Sequence, residues 1–238
     1  MTAAEPPHAP AQPAASNGSA ATNRAPPLTR SALAFATRCH ADQRRSSDGA
    51  PFIAHPLEVA GLLHDAGCSE VLVAAALLHD VAEDARVSLT ELTTRFGADV
   101  AQLVQAVTDD AFSPSYRYRK KVLREQVRGA GHTAALLFAA ERISKVREFP
   151  DQVRHDRERF ATAAPGSRAR KRLERYHRMR LEHDEQSLRM LEELAAGDPL
   201  VTRLADELGR CLITIHRDAP GGPTAAGSRT VDTRPFTH

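Results

Sequence analysis

Four ionisable side chains follow a strongly apolar run at residues 79–84, and they are His79, Asp80, Glu83 and Asp84. On a helix, His79 and Glu83 would be i,i+4 neighbours, as would Asp80 and Asp84. All four side chains would then point to roughly one side. Burying a histidine and three carboxylates there is costly unless a metal ion or a cationic ligand neutralises them. The alternative is a buried helix whose polar end simply reaches solvent.

Two further residues extend this group into a candidate metal site. His55 lies at a predicted helix start, and Glu141 lies in a predicted helix that is otherwise apolar on its N-terminal side. With His79 and Asp80 they make two imidazoles and two carboxylates, a mixed nitrogen and oxygen set suited to Mn²⁺, Fe²⁺ or Zn²⁺. A cation held in this way can lower the pKa of a bound water and present hydroxide to a phosphorus centre.

Each of these residues also has a simpler interpretation. His55 could form a hydrogen bond with the backbone at its helix start, and Glu141 could pair with Arg142 or Lys145 at the surface. His40 and His64 lie on helix faces with no carboxylate partner in register, so we interpret them as structural.

The elements that must position these residues have helical periodicity almost throughout residues 29–216. Apolar spacing, capping residues and glycine stops predict nine helices, at approximately 29–40, 56–67, 69–82, 88–97, 98–107, 115–127, 133–147, 168–195 and 199–214. No alternating pattern indicates a sheet, and no internal repeat is present. The predicted fold class is all-α, a compact multi-helix domain.

Composition sets the limits of that domain. Residues 1–28 are rich in Ala, Pro and Ser and predict a disordered arm, and residues 217–238 predict a second disordered tail. The chain has 238 residues, no tryptophan and a net charge of +2, which gives no overall argument for nucleic acid as a partner. Three widely spaced cysteines favour a reducing cytoplasm, and we find neither a signal peptide nor an apolar run long enough to span a membrane.

Several segments together resemble the HD-domain phosphohydrolases. Within them, the chain is most similar to the (p)ppGpp hydrolase domain of the Rel/Spo enzymes and to the stand-alone small alarmone hydrolases. The resemblance covers about residues 31–148 and rests on segments 43–45, 49–56, 75–84, 96–97 and 107–110. It implies a compact all-α HD domain, in agreement with the helical pattern.

The resemblance also implies roles for individual residues. His55, His79 and Asp80 would be metal ligands, usually to Mn²⁺, and Glu141 aligns with the aspartate that is the family's fourth ligand. The family uses a carboxylate pair beside the metal to orient the attacking water and handle protons. In this chain Glu83 and Asp84 match that pair.

The implied reaction removes the 3′-pyrophosphate from ppGpp or pppGpp and yields GDP or GTP plus pyrophosphate. Arg45 matches a phosphate-gripping arginine, and Arg44 beside it could assist. Lys120 belongs to a basic segment that faces the substrate phosphates in the small hydrolases. Lys145 aligns with an asparagine of the nucleotide pocket, and Ser46 aligns with a lysine.

Three functions remain open at this point. The first is alarmone hydrolysis, and the second is a phosphatase for another nucleotide such as NADPH, which Lys145 and Ser46 motivate. The third is a catalytically weak HD domain that binds metal or alarmone, which the exchange to Glu141 motivates. The basic run from Arg168 to Arg180 is interpreted as a solvated helix face rather than a nucleic-acid surface.

Overall fold

The structure, a computed structural model, describes residues 26–85, 87–109, 115–162, 164 and 166–218, apart from the side chains of Asp84 and Asp218. In these ranges the chain forms ten helices and, apart from one bridging pair between Arg44 and Pro51, no β-structure. The helices are α1 (Pro27–Cys39), α2 (Ala54–Asp65), α3 (Glu70–Leu78), α4 (Val81–Asp84), α5 (Leu89–Phe96), α6 (Ala98–Val107), α7 (Tyr116–Ala130), α8 (His132–Arg159), α9 (Arg168–Leu194) and α10 (Pro199–Asp218). The predicted all-α class is confirmed.

Two helices, α3 and α8, form the centre of the core. Every residue of α3 from Leu72 to Leu78 is buried, and the helix packs against α1, α2, α6 and α8. The side chain of Ser69 caps its start by accepting a hydrogen bond from the amide of Leu72 at 3.3 Å. A helix that is apolar on all sides can only be stable inside the protein, which explains its position.

The predicted helix over 69–82 is interrupted, and that prediction is wrong in this respect. Helix α3 ends at Leu78, His79 and Asp80 form a turn, and α4 begins at Val81. In a continuous helix the carbonyl of Ala76 would accept from the amide of Asp80. Here Nδ1 of His79 donates to that carbonyl at 2.7 Å, so a side chain competes for the backbone acceptor.

Helix α8 is longer than the predicted helix over 133–147. It continues through Pro150, which is exposed, to Arg159. Residues 134–144 are all buried, and α8 packs against α2, α3, α6, α7, α9 and α10. Because proline is disfavoured inside a helix, the sequence favoured an earlier end. The extensive packing of α8 stabilises the longer helix.

The outer limits of the fold differ slightly from the predicted domain of residues 29–216. Pro27 and Leu28 belong to α1, and α10 extends to Asp218. The first turn of α1 is capped from another helix, since the amides of Leu28 and Thr29 donate to Oε1 of Glu70 at 2.7 and 3.1 Å. Pro26 directly precedes α1, and the rest of the predicted disordered arm and tail lies outside the described residues. Among the described helices, none is long and apolar enough to cross a membrane.

Candidate metal centre and active-site cavity

Two histidines from different helices face each other in the core. His55 lies in the first turn of α2 and His79 directly follows α3, and their side chains are only 1% and 3% exposed. Their Nε2 atoms are 3.2 Å apart. Since α2 and α3 pack against each other, the two imidazoles are fixed by the core itself.

The hydrogen bond that each histidine makes through Nδ1 determines whether its Nε2 carries a proton or a lone pair. Nδ1 of His79 donates to the carbonyl of Ala76, which leaves the Nε2 atom of a neutral ring as an acceptor. Nδ1 of His55 lies 2.8 Å from the hydroxyl of Ser144. Burial, assisted by the charge of Lys145, holds the pKa of His55 well below its ordinary value, so this ring is neutral. When each ring is neutral and carries its proton on Nδ1, both imidazoles direct an Nε2 lone pair into one small space.

The carboxylate of Asp80 lies against the same space. Its Oδ1 is 3.3 Å from Nε2 of His79, and its Oδ2 is 3.5 Å from Nε2 of His55. Oδ2 is buried and has no hydrogen-bond partner among the described residues. Burial opposes ionisation of Asp80, but the neighbouring His79 and Lys145 lower its pKa below the ordinary value. A buried anionic oxygen without a donor, beside two nitrogen acceptors, fits a divalent cation.

Glu141 of α8 completes the group. One of its carboxylate oxygens lies within 4.8 Å of a ring nitrogen of both His55 and His79. The structure therefore brings together the four residues for which the sequence predicts metal binding. Their nitrogen and carboxylate donors fit Mn²⁺, Fe²⁺ or Zn²⁺.

The adjacent guanidinium of Arg142 forms an ion pair with Glu141. Burial alone would raise the pKa of Glu141, but Arg142 outweighs it and lowers the pKa to about 2. Nη1 of Arg142 also lies 3.2 Å from Oδ1 of Asp184 on α9, whose pKa burial raises to about 6. Glu141 does pair with Arg142, as one simpler interpretation proposed, but the pair is buried rather than at the surface.

A cavity of about 410 Å³ opens beside His55. Its lining contains seven cationic side chains and only three acidic ones, which suits a ligand with several negative charges. The cationic residues are Arg44, Arg45, Arg119, Lys120, Arg142, Lys145 and Arg180, and the acidic ones are Glu83, Asp109 and Glu148. The structure thus places all four cations that the sequence predicted for substrate binding around one cavity.

These cations differ in how far they are already paired. Nη2 of Arg45 lies 2.6 Å from Asp48, and Nζ of Lys120 lies 2.9 Å from Asp109. The ammonium of Lys145 lies 5.7 Å from the centre of the Phe52 ring, and among the described residues no carboxylate forms an ion pair with it. Lys145 is therefore well placed to receive a phosphate group.

The loop that carries Arg44 and Arg45 is fastened to α8. The hydroxyl of Ser46 donates to Oε1 of Gln152 at 2.7 Å, and the hydroxyl of Ser47 donates to Glu148. These two bonds fix the position of the loop against the helix that carries Glu141.

Glu83 is the described member of the predicted catalytic pair. It lies at the cavity, and the backbone amide of Asp109 donates to its Oε1. Burial raises the pKa of Glu83 above its ordinary value, which suits a group that must both accept and donate a proton. The side chain of Asp84 lies outside the described residues.

Several residues of this region were missed by sequence analysis. Arg119, Tyr116 and Arg180 line the cavity, and Glu58 accepts a hydrogen bond from Ser144 behind His55. Arg180 corrects the interpretation of its whole basic run as a solvated face, because it lies at the cavity. Residues spaced four, three and four positions after Glu141 share its face of the helix. This spacing alone identifies two of the other lining residues, Glu148 and Gln152.

Comparison with known proteins agrees with this geometry. The HD domain family model matches residues 32–166, more than half of the chain. The chain belongs to the HD domain family. The predicted recognition is thereby confirmed.

Two curated relatives show how far the similarity extends. This HD domain is 41% identical over 117 residues to the human guanosine-3′,5′-bis(diphosphate) 3′-pyrophosphohydrolase MESH1, covering 48% of the chain and 65% of the relative. It is 51% identical over 77 residues to a probable guanosine-3′,5′-bis(diphosphate) 3′-pyrophosphohydrolase of Synechocystis, covering 32% of the chain and 10% of the relative. The chain thus spans just under two thirds of the human protein and a small part of the cyanobacterial one.

A solved structure supports the fold. It is described as a metazoan ortholog of SpoT that hydrolyzes ppGpp and plays a role in starvation responses. The TM-score is 0.60 at 24% sequence identity, and the match covers 78% of this chain and 96% of that one. At this level of identity the similarity concerns the arrangement of the helices alone.

Proposed function

We propose that this HD domain is a metal-dependent phosphohydrolase that removes the 3′-pyrophosphate from ppGpp or pppGpp. The observation that carries the proposal is the cluster of His55, His79 and Glu141, with the Asp80 carboxylate against it, beside a strongly cationic cavity. The names of the human and cyanobacterial relatives support the choice of substrate.

In this proposal His55, His79, Asp80 and Glu141 hold a divalent cation, which we expect to be Mn²⁺. When bound, such a cation supplies Lewis-acid charge that activates water and offsets the charge of phosphate oxygens. The lowered pKa values of His55, Asp80 and Glu141 favour the protonation states that metal binding requires, a neutral ring and ionised carboxylates.

The surrounding residues would bind the substrate and move protons. Attack of water on the phosphorus bonded to the ribose 3′ oxygen breaks that bond and releases pyrophosphate, so one proton must leave the water and one must reach the 3′ oxygen. Glu83, with its raised pKa, is suited to this exchange. Arg44, Arg45, Lys120 and Lys145 would bind the phosphate groups.

Removal of the metal should abolish the reaction reversibly. We expect purified protein to convert ppGpp into GDP and pyrophosphate with Mn²⁺, to lose this activity with EDTA, and to regain it when Mn²⁺ is restored. Chromatography of the nucleotides measures the outcome, and an Asp80→Ala variant is the control. Intact ppGpp in the presence of metal-loaded protein would contradict the proposed substrate.

A second candidate substrate is NADPH, whose ribose carries a phosphate group. The position of Lys145 at the cavity, without a carboxylate partner among the described residues, favours this candidate. Release of inorganic phosphate from NADPH, compared with release of pyrophosphate from ppGpp under the same conditions, distinguishes the two.

Replacing Lys145 with alanine should lower kcat/KM for the true substrate by about ten- to a hundredfold, because a hydrogen bond to a charged group is worth roughly 1.5–3 kcal/mol. Initial rates with ppGpp and with NADPH measure the effect. Lys121→Ala is the matched control, since Lys121 is exposed and lies outside the lining of this cavity. Equal rates for Lys145→Ala and the wild type would mean that Lys145 is a solvated lysine.

The setting of this activity is also part of the proposal. We expect it to occur in the cytoplasm, because Cys39, Cys68 and Cys211 are all unpaired. The proposed partner is the phosphorylated nucleotide itself.

A further inference from the structure

A chain of hydrogen bonds between side chains extends from the Nδ1 atom of His55. Nδ1 is 2.8 Å from the hydroxyl oxygen of Ser144, and that hydroxyl donates to Oε2 of Glu58 at 2.7 Å. The other carboxylate oxygen of Glu58 accepts from Arg147 at 3.1 Å, and Arg147 in turn donates to Glu207 of α10 at 2.8 Å. The chain thus joins α2, α8 and α10.

The direction of the hydrogen bonds follows from the chemistry of the groups. A carboxylate that accepts from a guanidinium can only accept from a hydroxyl as well, so the single proton of Ser144 points to Glu58. The oxygen of Ser144 must then accept from His55, which places the ring proton on Nδ1. Nε2 of His55 is left with its lone pair directed toward His79 and Asp80.

The bonding of Ser144 is unusual for a buried helical serine. Ser187 of α9 is fully buried and donates to the carbonyl of His183 one turn earlier, at 2.7 Å. Helical serines commonly bond their hydroxyls in this local way. Ser144 is 1% exposed but donates across to α2 instead. Its hydroxyl is therefore committed to the histidine and the carboxylate rather than to its own helix.

We infer that Glu58 and Ser144 are positioning residues that fix the tautomer and the orientation of His55 for metal binding. Neither belongs to the metal group, and both act through the imidazole. The other tautomer would place a proton on Nε2, directed at the 3.2 Å contact with Nε2 of His79, and would block coordination. A carboxylate acting through the hydroxyl also makes the imidazole a stronger ligand. This inference rests on the proposed metal site.

Direct measurement of Mn²⁺ binding, without turnover, tests the inference. Ser144→Ala should weaken Mn²⁺ binding by about ten- to a hundredfold, the usual effect of losing such an outer partner. Ser144→Thr keeps the hydroxyl and should restore most of the affinity. In Glu58→Gln the amide can donate to Ser144 and reverse the bond, so this variant should weaken binding as well. Titration calorimetry and the EPR signal of free Mn²⁺ give the dissociation constants.

A spectroscopic readout separates positioning from simple packing. In the metal-free wild type, ¹⁵N NMR should show the proton of His55 on Nδ1, and in Ser144→Ala the signal should shift toward the Nε2–H form. Ser187→Ala is the matched control, because it also removes a buried serine hydroxyl near a histidine. It should leave Mn²⁺ affinity and the His55 signals unchanged.

The outcomes can be told apart. Wild-type Mn²⁺ affinity and an unchanged His55 tautomer in Ser144→Ala would overturn the inference and leave the proposed function intact. If Ser144→Ala does not fold, unchanged affinity in Glu58→Gln would overturn it, and because Glu58 is partly exposed we expect that variant to fold. A wild type that binds Mn²⁺ without hydrolysing ppGpp would overturn the proposed substrate alone, and a wild type that binds no Mn²⁺ would overturn both.

Discussion

Replacing Asp80 with alanine should reduce hydrolysis at least about a thousandfold, because the proposed cation would supply several kcal/mol of transition-state stabilisation and each 1.4 kcal/mol is about tenfold. Asp80 has one oxygen near each of the two histidine Nε2 atoms, at 3.3 and 3.5 Å. Its loss should remove the cation from the purified protein. Metal analysis and initial rates with the preferred nucleotide measure both effects.

The stability of this variant offers an independent check. Oδ2 of Asp80 is a buried oxygen without a hydrogen-bond donor among the described residues, so its removal should not destabilise the metal-free protein. Added Mn²⁺ should raise the Tm of the wild type but not that of Asp80→Ala, because a ligand that binds only the folded state stabilises it. Asp65→Ala, at an exposed position of α2, should behave like the wild type. Full metal content and turnover in Asp80→Ala would contradict the proposed metal site.

Replacing Arg142 with methionine should lower the free energy of unfolding by about 3–5 kcal/mol, since it leaves the carboxylates of Glu141 and Asp184 buried without their shared cation. All three residues are less than a tenth exposed. Urea unfolding of the metal-free protein measures the loss without any contribution from bound metal.

A double-mutant cycle distinguishes this cause from lost packing. Asp184→Asn removes one of the two stranded charges, so Arg142→Met should cost less in that background than in the wild type. Arg128→Met is the matched control, because Arg128 forms an exposed ion pair with Glu193 and should contribute at most about 1 kcal/mol. A loss below 1 kcal/mol for Arg142→Met itself would mean that the buried ion pairs contribute little.

The features that the sequence predicts best are those determined by residues close together in the chain. The apolar run before His79 predicts a buried helix, and the structure places that helix in the core. His55 and Glu141 were selected by their residue types and by a family resemblance, and they lie beside His79 as expected. Short motifs carry such information because the helices that bear them pack in only a few ways.

Features that depend on distant contacts could not be predicted. The capping of α1 by Glu70, the packing that carries α8 past Pro150, and the bond from Ser144 to Glu58 all join segments far apart in the chain. The sequence does not distinguish Arg180 from the rest of its basic run, because its place at the cavity depends on the packing of α9 against α8. A pattern in one helix does not reveal which partner helix covers it.

One row of side chains along a face of α8 has a consequence for substrate choice. Glu141, Lys145, Glu148 and Gln152 are spaced by four, three and four residues, close to whole turns, and they extend over about 16 Å at 1.5 Å per residue. The proposed metal ligand Glu141 lies at one end of this row, and the loop bearing Arg45 is tied to the other end. In the proposed enzyme the length of this part of α8 therefore sets the distance between a substrate's charged groups and its scissile bond. To change that distance, whole turns of α8 would have to be added or removed, since a single inserted residue rotates every residue beyond it by about 100°.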